Sequence, residues 1–142
     1  MTDSREFFHS MTVGKEIPSL VKAISLRQLV MYSATTWDFN AGHYDRAFAQ
    51  AQGFKDAYLD GPMNAAFLAQ MITDWIGLHG SLKKLNVTYR NMVFPGDRLT
   101  GTGNATKKYV AEDTGIIECE LSLTNQEGKT VATGSAEVAL PL

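Results

Sequence analysis

Between positions 37 and 45 the chain reads Trp37-Asp38-Phe39-Asn40-Ala41-Gly42-His43-Tyr44-Asp45. A carboxylate and an imidazole entering one pocket can hold a water molecule between them and move its proton. Asp38 and His43 are five positions apart, which on an unbroken helix would place them about 140° from each other around the axis. They converge only if the helix ends between them, and Asn40-Ala41-Gly42 supplies residue types that end helices. A second cluster, Asp60-Gly61-Pro62, opens a long apolar run. A glycine N–H at the start of a buried helix, backed by the helix dipole, suits an enolate or another oxyanion. On residue types alone the commoner arrangement is plainer. Asp38 is then a helix-end cap, His43 a surface residue, and Asp60-Gly61-Pro62 a routine loop-to-helix junction.

The elements that must position these residues follow from periodicity and punctuation. Residues 17–24 suit a short opening strand, with Pro18 at its start or on an edge. Ser25-Leu26-Arg27-Gln28 has capping-box form, and Leu26, Leu29, Val30, Ala34 and Trp37 step along one helical face. A helix is expected from Leu26 toward Trp37. A second, shorter one is expected over 45–52, with Asp45 at its start and Gly53 as its stop. Beyond Pro62, Met63, Ala65, Ala66, Phe67, Leu68, Ala69, Met71, Ile72, Trp75 and Ile76 leave little polar circumference before Gly77. Such a helix is expected to be surrounded by protein. From Leu85 the period becomes two: Leu85, Val87 and Tyr89, then a Pro95-Gly96-Asp97 turn, then a Thr- and Gly-rich strand over 98–109 with room for a bulge. Ile117, Cys119, Leu121 and Leu123 alternate with polar residues, and a turn at 125–128 leads to a last strand over 130–140. Short connections favour antiparallel pairing, so the expected class is α+β: a curved antiparallel sheet wrapped around one long central apolar helix.

Composition bounds the function classes. The chain has 142 residues, 44% hydrophobic and 20% charged, which suits one globular domain over 1–142, with 1–14 read as an N-terminal extension. Thirteen Lys+Arg against fifteen Asp+Glu give a net charge of -2, which argues against a broad nucleic-acid surface. Cys119 stands alone, so no intrachain disulfide framework and no cysteine-based zinc site are expected. His9 and His79 make no metal motif with His43. The opening residues do not resemble a secretory signal, and no apolar run approaches the roughly 18–20 residues of a membrane span. A cytoplasmic protein without metal is the expectation.

Taken together, the two clusters resemble the MaoC-like acyl-CoA hydratase/dehydratase family, the (R)-specific enoyl-CoA hydratases, which have the hot-dog fold. The family pattern of Asp-x-Asn-Pro-x-His, a short helix and a His-Gly-Met entry to the central helix is matched here. The matching strings are Asp38-Phe39-Asn40-Ala41-Gly42-His43, Tyr44–Ala49, and Asp60-Gly61-Pro62-Met63. Val87-Thr88-Tyr89-Arg90 through Val93-Phe94-Pro95-Gly96-Asp97 resembles the family's strand–turn segment, and the likeness covers about residues 15–140. The resemblance implies that Asp38 and His43 hold the water added to, or lost from, the 2,3 bond of an acyl-CoA thioester. It implies that His43 mainly transfers the proton, that Asn40 braces the loop, and that the Gly61 N–H binds the thioester oxygen. It implies no metal or redox cofactor, with the CoA thioester as substrate, in fatty acid or lipid metabolism. Ala41 stands where the family usually has proline, Asp60 where it has histidine, and Ala69 where many hydratases carry serine.

Two other readings share the fold. One is a hot-dog thioesterase, although Asp60 stands 17 positions after His43, whereas the thioesterase signature directly precedes the central helix. The other is a non-catalytic acyl-CoA-binding partner subunit. A sheet with an open edge implies at least a homodimer, or a heteromer with another hot-dog chain. Trp37 and Tyr44 could shape an acyl pocket. Lys83, Lys84, Arg90, Lys107 and Lys108 are candidates for the CoA phosphates, and Cys119 is expected to be a core thiol.

Overall fold

A computed structural model describes residues 4–142. The elements run α1 (Ser4–Ser10), β1 (Glu16–Ala23), α2 (Leu26–Thr36), a single 3-10 turn (Ala41–His43), α3 (Arg46–Ala51), α4 (Gly61–Ile76), β2 (Ser81–Tyr89), β3 (Arg98–Ala111), β4 (Thr114–Thr124) and β5 (Thr130–Pro141). The five strands form one sheet in the order β1-β3-β4-β5-β2, antiparallel throughout. This is the α+β hot-dog architecture, with α4 lying against the sheet. The expected bulge in the Thr/Gly-rich strand is a register shift between Ala105 and Lys107.

The core forms where β4 alternation meets the inner face of α4. Ile117, Cys119, Leu121 and Leu123 are buried against Phe67, Leu68, Met71, Ile72 and Ile76 in one cluster. Burial pushes the Cys119 thiol up to about 12, so it is a core methyl-like group rather than a nucleophile.

Two expectations are corrected. The face proposed for α2 is rotated: Leu29 is buried, but Leu26, Val30, Ala34 and Trp37 are exposed. The inward stripe is instead Leu29, Tyr32 and Ser33. The reason is local. The capping box forms, with the Gln28 N–H donating to Ser25 Oγ at 3.3 Å and the Ser25 N–H donating to Gln28 Oε1 at 2.8 Å. Just before it, Ile24 is buried and bonded to the 96–97 turn, so the helix enters at a fixed angle that turns Leu29 inward. Second, α4 is not enclosed within a single chain, since Pro62, Ala66, Gln70, Thr73 and Asp74 are exposed opposite the sheet. The alanines made the run apolar in composition without giving that side anything large to bury. Residues 4–14, within the stretch read as an N-terminal extension, pack onto the domain. Phe8 and Met11 are buried in the core, and Lys108 Nζ donates to the Met11 carbonyl at 2.8 Å while lying 4.6 Å from the Phe8 ring centroid. Residues 1–3 of the expected extension lie outside the described residues.

Candidate active site

The site is assembled by three consecutive chain turns. α2 ends at Trp37, whose φ of 59° is left-handed, a conformation that costs a non-glycine residue on the order of 1 kcal/mol. That reversal carries the chain out of the helix at Asp38. The Asn40 N–H donates to Asp38 Oδ1 at 3.1 Å, and the Gly42 N–H donates to Asn40 Oδ1 at 3.0 Å, so Asn40 caps the 3-10 turn that ends at His43. Asn40 therefore braces the loop between the two candidate groups. Asp45 then caps α3 by accepting from the Phe48 N–H.

His43 is held from behind. Its Nδ1 lies 2.9 Å from the Tyr58 carbonyl oxygen. A carbonyl only accepts, so Nδ1 must carry a proton, which leaves Nε2 as the nitrogen that gains or loses one on the side facing the carboxylates. Nε2 is 3.8 Å from Asp38 Oδ2 and 3.9 Å from Asp60 Oδ1. Both distances exceed a direct hydrogen bond, but one water lying to the side of the pair could bond both groups at once. The side chains differ in exposure: 9% for His43, 14% for Asp60 and 45% for Asp38. The imidazole and Asp60 thus line the interior, and Asp38 lies toward solvent.

Tyr58 is fixed in its turn. Its N–H donates to the Gly42 carbonyl at 3.0 Å, and its ring meets His43 edge-on at 5.0 Å between centroids. A Cβ on Gly42 would collide with the Tyr58 phenol, which explains the glycine before His43. The loop reaching Tyr58 is tied to α3 by Arg46, whose Nε and Nη2 each lie 2.9 Å from an Asp56 carboxylate oxygen. The hydrogen bond from that guanidinium holds the Asp56 carboxyl below its ordinary range.

At the start of α4, Asp60 is the residue before the helix, yet its side chain makes no capping bond to the first turn. Its carboxyl instead faces His43. Burial raises its pKa; a charge on His43 would oppose that rise, the Asp38 charge adds to it, and the nearby Gly61 N–H opposes it. The Gly61 amide and the Asp60 carboxyl therefore sit side by side. Gly61 also lies under the Tyr89 ring, where a Cβ would come within 3.0 Å of two ring carbons. Tyr32, on the inward stripe of α2, has its phenol pKa raised by burial and by the neighbouring Asp60 and Tyr89.

Sequence reasoning named Asp38, Asn40, His43 and Gly61; the structure sets Asp38, Asn40 and His43 in one loop, and Gly61 follows Asp60, whose carboxyl faces the imidazole. That reasoning missed Tyr58, Tyr32 and Tyr89. Tyr32 was legible only by choosing the right face of α2, whereas Tyr58 acts through its backbone carbonyl, for which no side-chain signal exists. Other candidates sit elsewhere. Trp37 is 82% exposed, and Tyr44 donates its hydroxyl to the Phe39 carbonyl at 3.0 Å. Lys84 pairs with Glu137 at 3.1 Å and Lys107 with Glu118 at 3.0 Å. Arg90 follows Tyr89 directly and is exposed. Asp38, His43 and Asp60 also present ligand atoms within 4.8 Å of one another, a spacing at which a divalent cation could be held.

With this geometry in hand, the comparisons with known proteins are decisive about family. Residues 9–126 match the family model described as MaoC like domain. The chain belongs to the MaoC-like family. An (R)-specific enoyl-CoA hydratase of Aeromonas caviae is 27% identical over 133 residues, covering 93% of this chain and 97% of that one. The solved structure of an (R)-hydratase from A. caviae involved in PHA biosynthesis superposes with a TM-score of 0.83 at 26% identity, covering 93% of this MaoC-like chain and 98% of that one. The ChsH1-ChsH2 complex from Mycobacterium tuberculosis includes a chain that matches with a TM-score of 0.81 at 25% identity, covering 92% and 98%. No helix among the described residues is long and apolar enough to cross a membrane.

Proposed function

We propose that this MaoC-like protein is a hydro-lyase that adds water to, or removes it from, the 2,3 bond of a 2-enoyl-CoA or 3-hydroxyacyl-CoA thioester. The observation that carries the reading is His43: Nδ1 anchored on the Tyr58 carbonyl and Nε2 3.8 Å from Asp38 Oδ2, near enough for one water to bond both, in the loop that precedes the helix start at Gly61. In the hydration direction the water between Asp38 and His43 gives a proton to Nε2 as its oxygen bonds to C3. The C2–C3 π electrons move onto the thioester oxygen, where the Gly61 N–H and the α4 dipole stabilise the charge. The enolate then collapses, and the proton held by His43 is delivered to C2. Water and enoyl thioester thus give the hydroxyacyl thioester with no electron gained or lost, so no redox cofactor is called for, and in this reading the Gly61 N–H, not a metal, takes the oxyanion charge. The hydratase names of the relatives support the same reading.

The test is loss of enoyl absorbance over a panel of 2-enoyl-CoA thioesters. Wild type should turn over at least one; His43→Ala and Asp38→Asn should lose about 10²–10⁴-fold in kcat. EDTA should leave the rate unchanged. If the panel instead releases free thiol, the thioesterase reading replaces this one. If thioesters bind but neither reaction occurs, the chain is an acyl-CoA-binding subunit. The reading places the protein in the cytoplasm, in lipid or fatty acid metabolism, working as a homodimer or with another hot-dog chain. The M. tuberculosis complex of two named chains supports the heteromeric option.

A further inference from the structure

Two carboxylates and one imidazole converge at the site, and two of the three are tied from behind by the backbone. Asp38 Oδ1 accepts the Asn40 N–H at 3.1 Å, which leaves Oδ2 as the oxygen turned toward His43. His43 Nδ1 rests on the Tyr58 carbonyl at 2.9 Å, which leaves Nε2 as the nitrogen turned toward both carboxylates. Asp60 makes no capping bond to α4, and its Oδ1 faces the same nitrogen. The His43 side chain is only 9% exposed, yet among the described residues no hydrogen bond reaches Nε2. No lysine or arginine among the described residues pairs with Asp38 or Asp60. Carboxylate charge thus gathers around a buried nitrogen with no basic side chain paired to it.

A ligating histidine typically donates its other N–H to a carbonyl or carboxylate, and ligating carboxylates are hydrogen-bonded in turn. His43 and Asp38 both show that pattern. Ligand atoms about 2.1 Å from a tetrahedral ion lie about 3.4 Å from one another. Nε2 stands 3.8 Å from Asp38 Oδ2 and 3.9 Å from Asp60 Oδ1, and all three ligand atoms lie within 4.8 Å of one another. Small side-chain rotations, easiest for the half-exposed Asp38, bring them onto one ion and leave a fourth position open. One imidazole with two carboxylates suits zinc and its neighbours in the first transition row; magnesium and calcium favour shells of oxygen alone. We propose that Asp38, His43 and Asp60 form a binding site for a divalent transition ion, Zn²⁺ above all, and that the ion inhibits the chemistry of the same site. Binding stands on the geometry by itself, whereas inhibition rests on the hydratase reading. The bond to the ion takes the Nε2 lone pair, which in that reading accepts the proton of water, and one nitrogen cannot serve both. A water on the ion would still lack its partner reaction, since His43 is the group that delivers a proton to C2.

The experiment is calorimetric titration of the full, tag-free chain, first stripped with EDTA, with zinc chloride and separately with magnesium chloride. Wild type should take one Zn²⁺ per chain and give no binding heat with Mg²⁺ at the same concentrations. Asp38→Asn, Asp60→Asn and His43→Ala should each bind zinc at least about tenfold more weakly. The two asparagine variants keep the side-chain shape, so the comparison stands on them even where alanine disturbs the fold. Absence of zinc binding overturns the site, as does equal affinity in all three variants, which would put the ion at another position such as His9. In the hydration assay, saturating Zn²⁺ should lower the wild-type rate by about 10²-fold or more, with excess EDTA restoring it. An undiminished rate with zinc bound at these residues overturns the inhibition. Titration needs no substrate, so the two readings fail separately. An inactive wild type that still binds one variant-sensitive zinc rejects the hydratase reading and keeps the metal site; an active wild type without zinc affinity does the reverse.

Discussion

His43 illustrates how a single imidazole acquires a defined role. The Tyr58 carbonyl dictates which nitrogen keeps its proton, and the two flanking carboxylates then share the lone-pair side at nearly equal distances. Of these, Asp60 has a consequence for stability that can be measured without any substrate. Burial raises its folded-state pKa above that of the unfolded chain. A group shifted in this direction contributes stability that is fully present below the unfolded pKa and is lost as pH rises through the folded value. At about pH 7 the ionised carboxyl is therefore penalised by folding, and Asp60→Asn should melt higher than wild type. That advantage should shrink on acidification below about pH 4, where both states of the wild type take up the proton. Melting temperatures of the two proteins followed from neutral to acid pH check this; a difference that does not change with pH would mean the carboxyl is not shifted.

At the scale of elements, the candidate site depends on junctions rather than on helix or strand interiors. The left-handed Trp37, the Asn40 cap, the Gly42–Tyr58 contact and the first turn of α4 are each a chain reversal or a helix end. Gly42→Ala tests the tightest of these junctions. Its new Cβ would meet the Tyr58 phenol, so Tyr58 must move, and its carbonyl, on which His43 Nδ1 rests, must move with it. The expected outcome is a loss of about 1–3 kcal/mol in chemical denaturation, together with a fall in kcat of up to about 10²-fold, because the displaced imidazole loses its reaction geometry. Ser25→Ala, which removes the capping-box oxygen of α2, should cost about 1 kcal/mol while leaving the rate near wild type, since no bond links Ser25 to the site.

For the whole molecule, the surface left open by one chain is informative. β1 and β2 are the sheet edges, and Pro18 with a nearby register shift blunts β1. β2 ends at Tyr89, over Gly61, so pairing along that edge would bring a second chain close to the site. Leu26, Val30, Met31, Trp37 and Phe39 are exposed on and just beyond α2, and Ala66 is exposed on the outer side of α4. An apolar surface of this kind is usually covered in an assembly. Light scattering on the purified protein should return a mass at least twice that of one chain. A monomer that gains both mass and activity when mixed with another hot-dog chain would instead identify a heteromer.

Much of this protein was written locally. The Ser25–Gln28 box, the alternation of Ile117 to Leu123, the 95–97 turn, and the helix-ending residues between Asp38 and His43 each depend on neighbours a few positions away. Hydrogen-bonding capacity and periodicity reveal those directly in the sequence. Tertiary structure decided what depends on distant segments meeting. It chose the face of α2 that turns inward, left the outer side of α4 open, and drew Phe8 and Met11 into the core. It set the Tyr58 carbonyl behind His43 and aimed Asp60 at the imidazole rather than at its own helix. Those outcomes follow from competition among long-range packing partners and from backbone atoms common to every residue type, so side-chain identities along the chain could not announce them.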